Sequence, residues 1–183
     1  MQLARRRPRS RLPRGTRRAI GAADVAVYRL LRVHACPDRA VPWVHAYSRT
    51  GEHAAAWLAI GAAGAAVDVP RRDRWLRGLA CIGVAYGVNV AVKQQVGRRR
   101  PAFEELPALT RTPTQLSFPS SHATASFAAA AAYRGLLPGR PLYAAAGAMA
   151  LSRVVLGVHY PTDIAAGALL GTTIGTIGRL KRA

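Results

Sequence analysis

Cysteine is nearly missing from this chain. Cys36 and Cys81 are the only two among 183 residues, with no CxxC pair and no metal-ligand spacing. That excludes a thiolate metal site and a CxxC redox motif, and both thiols read as small apolar fillers. Acid is scarce too: eight Asp and Glu stand against 27 Lys and Arg, for a net charge of +19. Lysine itself occurs only at Lys93 and Lys181, so arginine carries the charge. A secretory leader is not expected, because no uninterrupted apolar core with a small-residue cleavage site follows the basic start.

What is present is apolar. Half the residues are hydrophobic, which conflicts with so high a charge only in a soluble protein. The two kinds of residue are segregated: arginine crowds the first eighteen residues and the short loops, while Ala, Leu, Gly, Val and Ile fill the stretches between. This is the pattern of a membrane protein. The Ala and Arg bias also fits a GC-rich, bacterial coding genome.

Residues 1–18 hold eight arginines, two prolines and no acid, and cannot bury a core. They are expected to form a disordered arm on acidic lipid headgroups. Nucleic acid is not an expected partner, since no aromatic or groove-reading element follows. Ile20 to Ala35 is helical in its spacing but interrupted by Asp24, Arg29 and Arg32 and too short to cross a bilayer, so an interfacial amphipathic helix is expected. Five spans follow: Val41–Val69, Trp75–Val96, Pro119–Leu137, Leu142–Leu156 and Thr162–Ile177. The fold class read from this is all-α, a single integral-membrane helical bundle over 19–183 with about five transmembrane helices. Small residues throughout the spans suit close helix packing in lipid.

Three polar clusters punctuate the spans: Lys93-Gln-Gln-Val-Gly-Arg-Arg-Arg100-Pro101, Pro119-Ser120-Ser121-His122, and Ser152-Arg153 through His159-Tyr-Pro-Thr-Asp163. If each span crosses once, all three emerge on one face. Lys93, Arg100 and Arg153 can surround a phosphate, the forked guanidiniums pairing with two oxygens each. Ser120 and Ser121 stand at an expected helix N-terminus, which attracts anions. Two histidines and an aspartate complete a set suited to phosphate-ester chemistry. Arg98 and Arg99 are expected to contact headgroups. Glu52 and His53, on the same face, are candidates for the substrate entrance, and Phe103–Thr114 for a mobile cover.

Written as K-x6-R-P, P-S-x-H and S-R-x5-H-x3-D, the clusters resemble the signature of the type 2 phosphatidic acid phosphatase family, over about seventy of the 183 residues. One departure is visible: the middle cluster usually reads P-S-G-H, and here Ser121 replaces the glycine. The resemblance implies a membrane lipid phosphatase that uses neither metal nor cofactor. It implies that His159 is the nucleophile forming a phosphohistidine, that Asp163 orients it, and that His122 protonates the leaving group. Lys93, Arg100, Ser120, Ser121 and Arg153 would hold the phosphate. Within the family the short, Ala/Arg-rich pattern, with Ser48-Arg-Thr-Gly-Glu-His-Ala54 and Ser117 to Thr124, resembles bacterial polyprenyl-phosphate enzymes, including the decaprenylphosphoryl-5-phosphoribose phosphatases. Undecaprenyl diphosphate, phosphatidylglycerol phosphate and phosphatidic acid stay open as substrates, and a silent headgroup-binding protein is the alternative class. The expected partners are a lipid phosphate and the lipids of a bacterial cell membrane.

Overall fold

Helix α5, Ser121–Ala132, is the axis of the molecule, with nine of its twelve residues buried. It is rich in alanine, the best helix former, and it begins at Ser120, whose extended backbone and side-chain oxygen cap the Ala123 N–H at 3.4 Å. The computed structural model describes residues 14–180. Around α5 stand α1 (Arg14–His34), α2 (Val41–Thr50), α3 (Ala55–Val67), α4 (Arg72–Val96), α6 (Gly139–Val155) and α7 (Pro161–Leu180). No strand occurs among the described residues, only isolated bridges.

The tightest packing is between α5 and α7. Gly167, Gly171 and Gly175 lie four residues apart on the buried side of α7. A Cβ added at these positions would sit 2.7, 2.1 and 2.4 Å from the carbonyl oxygens of Ser120, Thr124 and Ala128. The two backbones therefore touch, which is how small-residue stripes bring helices together in lipid. Because Asp163 is one helical step before Gly167 on the same stripe, the packing also fixes where the first turn of α7 meets the start of α5. The Ser120 N–H donates to the Asp163 carbonyl at 3.0 Å.

Two expectations are revised. Val41–Val69 is not one helix: it breaks into α2 and α3 at a 3₁₀ turn over Glu52–Ala54, where His53 (φ 51°) and Ala54 (φ 61°) are left-handed. Neither is glycine, so each conformation costs about 1–2 kcal/mol, and the surrounding structure must hold it. The N-terminal helix starts at Arg14 rather than near Ile20, within the segment expected to be a disordered arm. Residues 1–13 of that arm lie outside the described residues. Helix α1 is two-sided, with Asp24 and Tyr28 buried and Val27, Leu30 and Val33 exposed.

By length and composition one helical stretch among the described residues, Val69–Val96, is long and apolar enough to cross a membrane. The segment from Gly97 to Ser120 folds back over the end of α4. It is pinned by Ser117 N–H to Arg98 O at 2.8 Å, Arg100 N–H to Gln115 O at 3.1 Å and Leu109 N–H to Leu156 O at 3.0 Å. Phe103 packs on Tyr28 of α1 with ring centroids 5.5 Å apart, so the expected cover is anchored at several points.

Candidate active site

The end of α4, the start of α5, the end of α6 and the loop before α7 converge on one cavity of about 580 Å³. Its wall includes Lys93, Arg100, Ser121, His122, Arg153 and His159, with Glu52 and His53 contributed by the α2–α3 turn. The three polar clusters of the sequence thus meet in one site, through the ends of three helices, the loops beside them and the α2–α3 turn.

His159 is 2% exposed. Its Nε2 lies 3.0 Å from Arg100 Nη1 and its Nδ1 3.4 Å from Asp163 Oδ2. A guanidinium can only donate, so Nε2 carries the lone pair and the ring proton sits on Nδ1, pointing at the carboxylate. That is the tautomer a nitrogen nucleophile needs. The Asp163 contact is long, as such pairs often are before substrate binds. Asp163 is itself held on both oxygens: Oδ2 accepts the Tyr160 N–H at 2.8 Å and Oδ1 accepts Arg98 Nη1 at 2.9 Å.

Burial, with Arg100, Lys93 and Arg153 close by, pushes His159 well below the usual imidazole value. Burial also lowers Arg100 to about 10, partly offset by Asp163, and it stays charged at neutral pH. Below about pH 6.5 the unfolded chain takes up a proton at His159 that the folded chain refuses. The group's contribution to stability is therefore complete above that pH and falls as the pH drops further. Melts of His159→Asn protein should lose less between pH 7 and pH 5 than melts of the unaltered chain; an equal loss would place the acid sensitivity elsewhere.

The rest of the cradle is buried charge. Lys93 Nζ donates to the carbonyls of Pro119 at 2.8 Å, Leu116 at 3.3 Å and Ser117 at 3.4 Å. Arg153, 5% exposed, donates through Nη1 to Ser48 Oγ, and its buried Nε has no partner among the described residues. An orphaned guanidinium donor in a cavity wall is a position an anion oxygen would satisfy. His122 Nε2 lies 3.2 Å from the Ser48 carbonyl, which only accepts, so Nε2 carries a proton and Nδ1 is left for chemistry. Ser121 lines the cavity as the first residue of α5, with its hydroxyl donating to Asn89 Oδ1 at 2.7 Å.

Ser120 departs from expectation. It is fully buried and outside the cavity lining, its hydroxyl capping α5 and its N–H bound to Asp163 O. It shapes the loop from behind the cavity wall. Arg98 also departs, since it faces inward: Nη1 reaches Asp163 and Thr162 Oγ1 (2.6 Å), Nη2 reaches Asp24 Oδ2 (2.6 Å), and the guanidinium stacks 4.1 Å over the Tyr160 ring. Asp24 closes the chain by accepting the Thr162 N–H at 2.9 Å.

Sequence reading missed Ser48 and Asp24. The signal for Ser48 was its place at the head of the Ser48–Ala54 stretch; for Asp24 it was a lone acid on an amphipathic helix. Asp24→Asn should weaken the hold on Arg98 and lower turnover by about tenfold, the scale of one hydrogen bond to a charged group. Unchanged turnover would make the α1 contact purely structural.

A family model described as PAP2 superfamily matches residues 74–181. The chain belongs to the PAP2 superfamily. Among proteins similar to this PAP2 member is a decaprenylphosphoryl-5-phosphoribose phosphatase of Mycobacterium tuberculosis, 46% identical over 132 residues, 71% of this chain and 73% of that one. The Mycolicibacterium smegmatis protein of the same name is 44% identical over 124 residues, covering 67% and 68%. Two solved structures share the fold. The transmembrane PAP2-type phosphatidylglycerolphosphate phosphatase of Bacillus subtilis superposes with a TM-score of 0.71 at 24% identity, over 90% of this chain and 89% of that one. LpxE of Aquifex aeolicus gives 0.73 at 20% identity, over 84% and 93%.

Proposed function

We propose that this PAP2 chain is a multi-pass membrane phosphatase that removes the terminal phosphate from a polyprenyl-linked phosphoribose. The observation that carries the chemistry is the His159 lone pair, fixed by Asp163 and Arg100 inside a cavity walled by Lys93, Arg153 and His122. The enzyme is a phosphoric ester hydrolase, and the names borne by the 46% and 44% identical relatives support the lipid class. Helix α4 crosses the membrane, α5 to α7 and the broken α2–α3 unit supply further spans packed about α5, and α1 lies in the interface with Val27, Leu30 and Val33 toward lipid.

The substrate phosphate takes over Arg100 and the open Nε of Arg153, which releases Nε2 of His159. Nε2 attacks phosphorus in line, the P–O ester bond breaks, and its electrons leave on the sugar oxygen. His122, which takes up a proton at Nδ1 as the negatively charged phosphate enters, gives that proton to the leaving oxygen. The neutral His122 then takes a proton from water, whose oxygen attacks phosphorus and breaks the P–N bond. Inorganic phosphate leaves and His159 is neutral again, with its Nδ1–H on Asp163. Fixed positive charge around the transferring group supplies most of the stabilisation in such displacements.

Phosphate release by the detergent-purified chain, with EDTA present, tests this on polyprenyl-phosphoribose phosphate, polyprenyl diphosphate, phosphatidylglycerol phosphate and phosphatidic acid. The first should be preferred and His159→Ala should be blank. Equal release by His159→Ala would sink the mechanism; preference for another lipid would sink the substrate assignment.

A further inference from the structure

Glu52 is the one acid in the lining of a cavity that also contains Lys93, Arg100, Arg111 and Arg153. Among the described residues its carboxylate belongs to no ion pair. It stands near the Arg153 guanidinium without pairing with it, and a carboxylate in a phosphate pocket weakens anion binding by repulsion, which leaves its free lone pairs for a neutral partner. An ionised carboxylate is acceptor-only, and a phosphate dianion has no proton to give it. A pair of adjacent hydroxyls does.

Position says which part of the substrate carries those hydroxyls. Glu52 follows Gly51, where an added Cβ would come 2.5 Å from Met149 Sδ and 2.9 Å from His122 Cδ2. The turn is therefore pressed against His122, the group that protonates the leaving oxygen. Whatever is attached to that oxygen lies on the same side of the cavity as Glu52. The turn is also strained: His53 and Ala54 are both left-handed without being glycine, and such strain tends to persist where it serves a site. Next to Glu52, His53 Nδ1 lies 3.3 Å from the Tyr86 hydroxyl of α4, and both residues line the cavity. Glu52, His53 and Tyr86 form a polar wall that adds no cation of its own, with Arg153 of the phosphate cradle beside it.

We propose that Glu52, with His53 and Tyr86 beside it, is a hydroxyl-binding subsite for the leaving-group alcohol. It takes a sugar with adjacent hydroxyls next to the scissile phosphate and disfavours a second phosphate in that place. The direction of the leaving group rests on the phosphatase reading above, so binding is measured apart from turnover.

The full chain carrying His159→Ala, in detergent, is titrated by ligand-observed NMR with ribose 5-phosphate, 2-deoxyribose 5-phosphate and inorganic phosphate. Ribose 5-phosphate should bind about tenfold tighter than its 2-deoxy analogue, the scale of one hydrogen bond to a charged acceptor. Adding Glu52→Gln should erase that preference and at the same time tighten inorganic phosphate, because repulsion is removed. A role in charge balance alone would tighten all three ligands alike and overturn the subsite. So would a preference that survives Glu52→Gln, an equal affinity for both sugars at the start, or failure of all three to bind. Ribose preference that depends on Glu52, in a protein that cleaves no ester, would support the subsite and overturn the phosphatase reading instead.

Discussion

Asp163→Asn should lower phosphate release by about 10³ to 10⁴-fold, the scale seen when the orienting carboxylate of a base–orienter pair is made an amide. Affinity for inorganic phosphate should change little. The carboxylate fixes the ring because Oδ2 can only accept from Nδ1–H, and it is itself fixed by Arg98 on Oδ1 and the Tyr160 N–H on Oδ2. An amide can turn its NH₂ toward Nδ1, and the proton then moves to Nε2. There it meets Arg100 Nη1, donor against donor, and the lone pair no longer faces the substrate. Rapid-quench measurement of phosphoenzyme formation separates this from a binding defect: the burst should slow with KM nearly constant. A loss confined to KM would show that Asp163 organises the cradle and not the nucleophile.

Much of that constellation is legible in the sequence. Lys93, Arg100, His122, Arg153 and His159 all reach one cavity because each stands at the end of an apolar stretch, and hydrophobic segments report where helices end. Other features depend on rotation and distant partners, which composition does not report. Arg98, Arg99 and Arg100 are chemically identical neighbours. Only the pairing of Arg98 and Arg100 with residues 115–117 across the returning loop turns one guanidinium to Asp163 and another to His159. Asp24 broke the apolar spacing of α1 and looked like an interruption, because the residues it serves, Arg98 and Thr162, are 74 and 138 positions away. Ser120 and Ser121 both suit a helix start, and the choice between capping and facing a ligand was made by one residue of register. The break at His53–Ala54 carries no glycine or proline at the left-handed positions, so nothing local announced it.

Gly171→Leu should prevent the bundle from forming its native packing, although it adds apolar surface in a membrane protein. A Cβ at this position falls 2.1 Å from Thr124 O and 2.8 Å from Ala128 N, both backbone atoms of α5. No rotamer relieves that contact, so α5 and α7 must separate. Overpacking usually costs about 1–3 kcal/mol where side chains can adjust, and an obstruction against backbone belongs at or above the top of that range. For a chain of this length that is roughly 6–12 °C of melting temperature. Gly83→Leu on α4 is the matched control, since nothing lies within 4 Å of its added Cβ, and it should melt within a few degrees of the parent. The functional consequence follows from chain order: α5 opens with His122 and α7 with Asp163, and the Ser120 to Asp163 hydrogen bond at 3.0 Å links the two starts. Spreading the helices therefore moves His122, the proposed leaving-group acid, away from His159, the proposed nucleophile, so activity should fall well below the parent even at temperatures where Gly171→Leu protein stays in solution. A variant that melts early but keeps full turnover when folded would show that the glycine stripe stabilises the bundle without setting the geometry of the site.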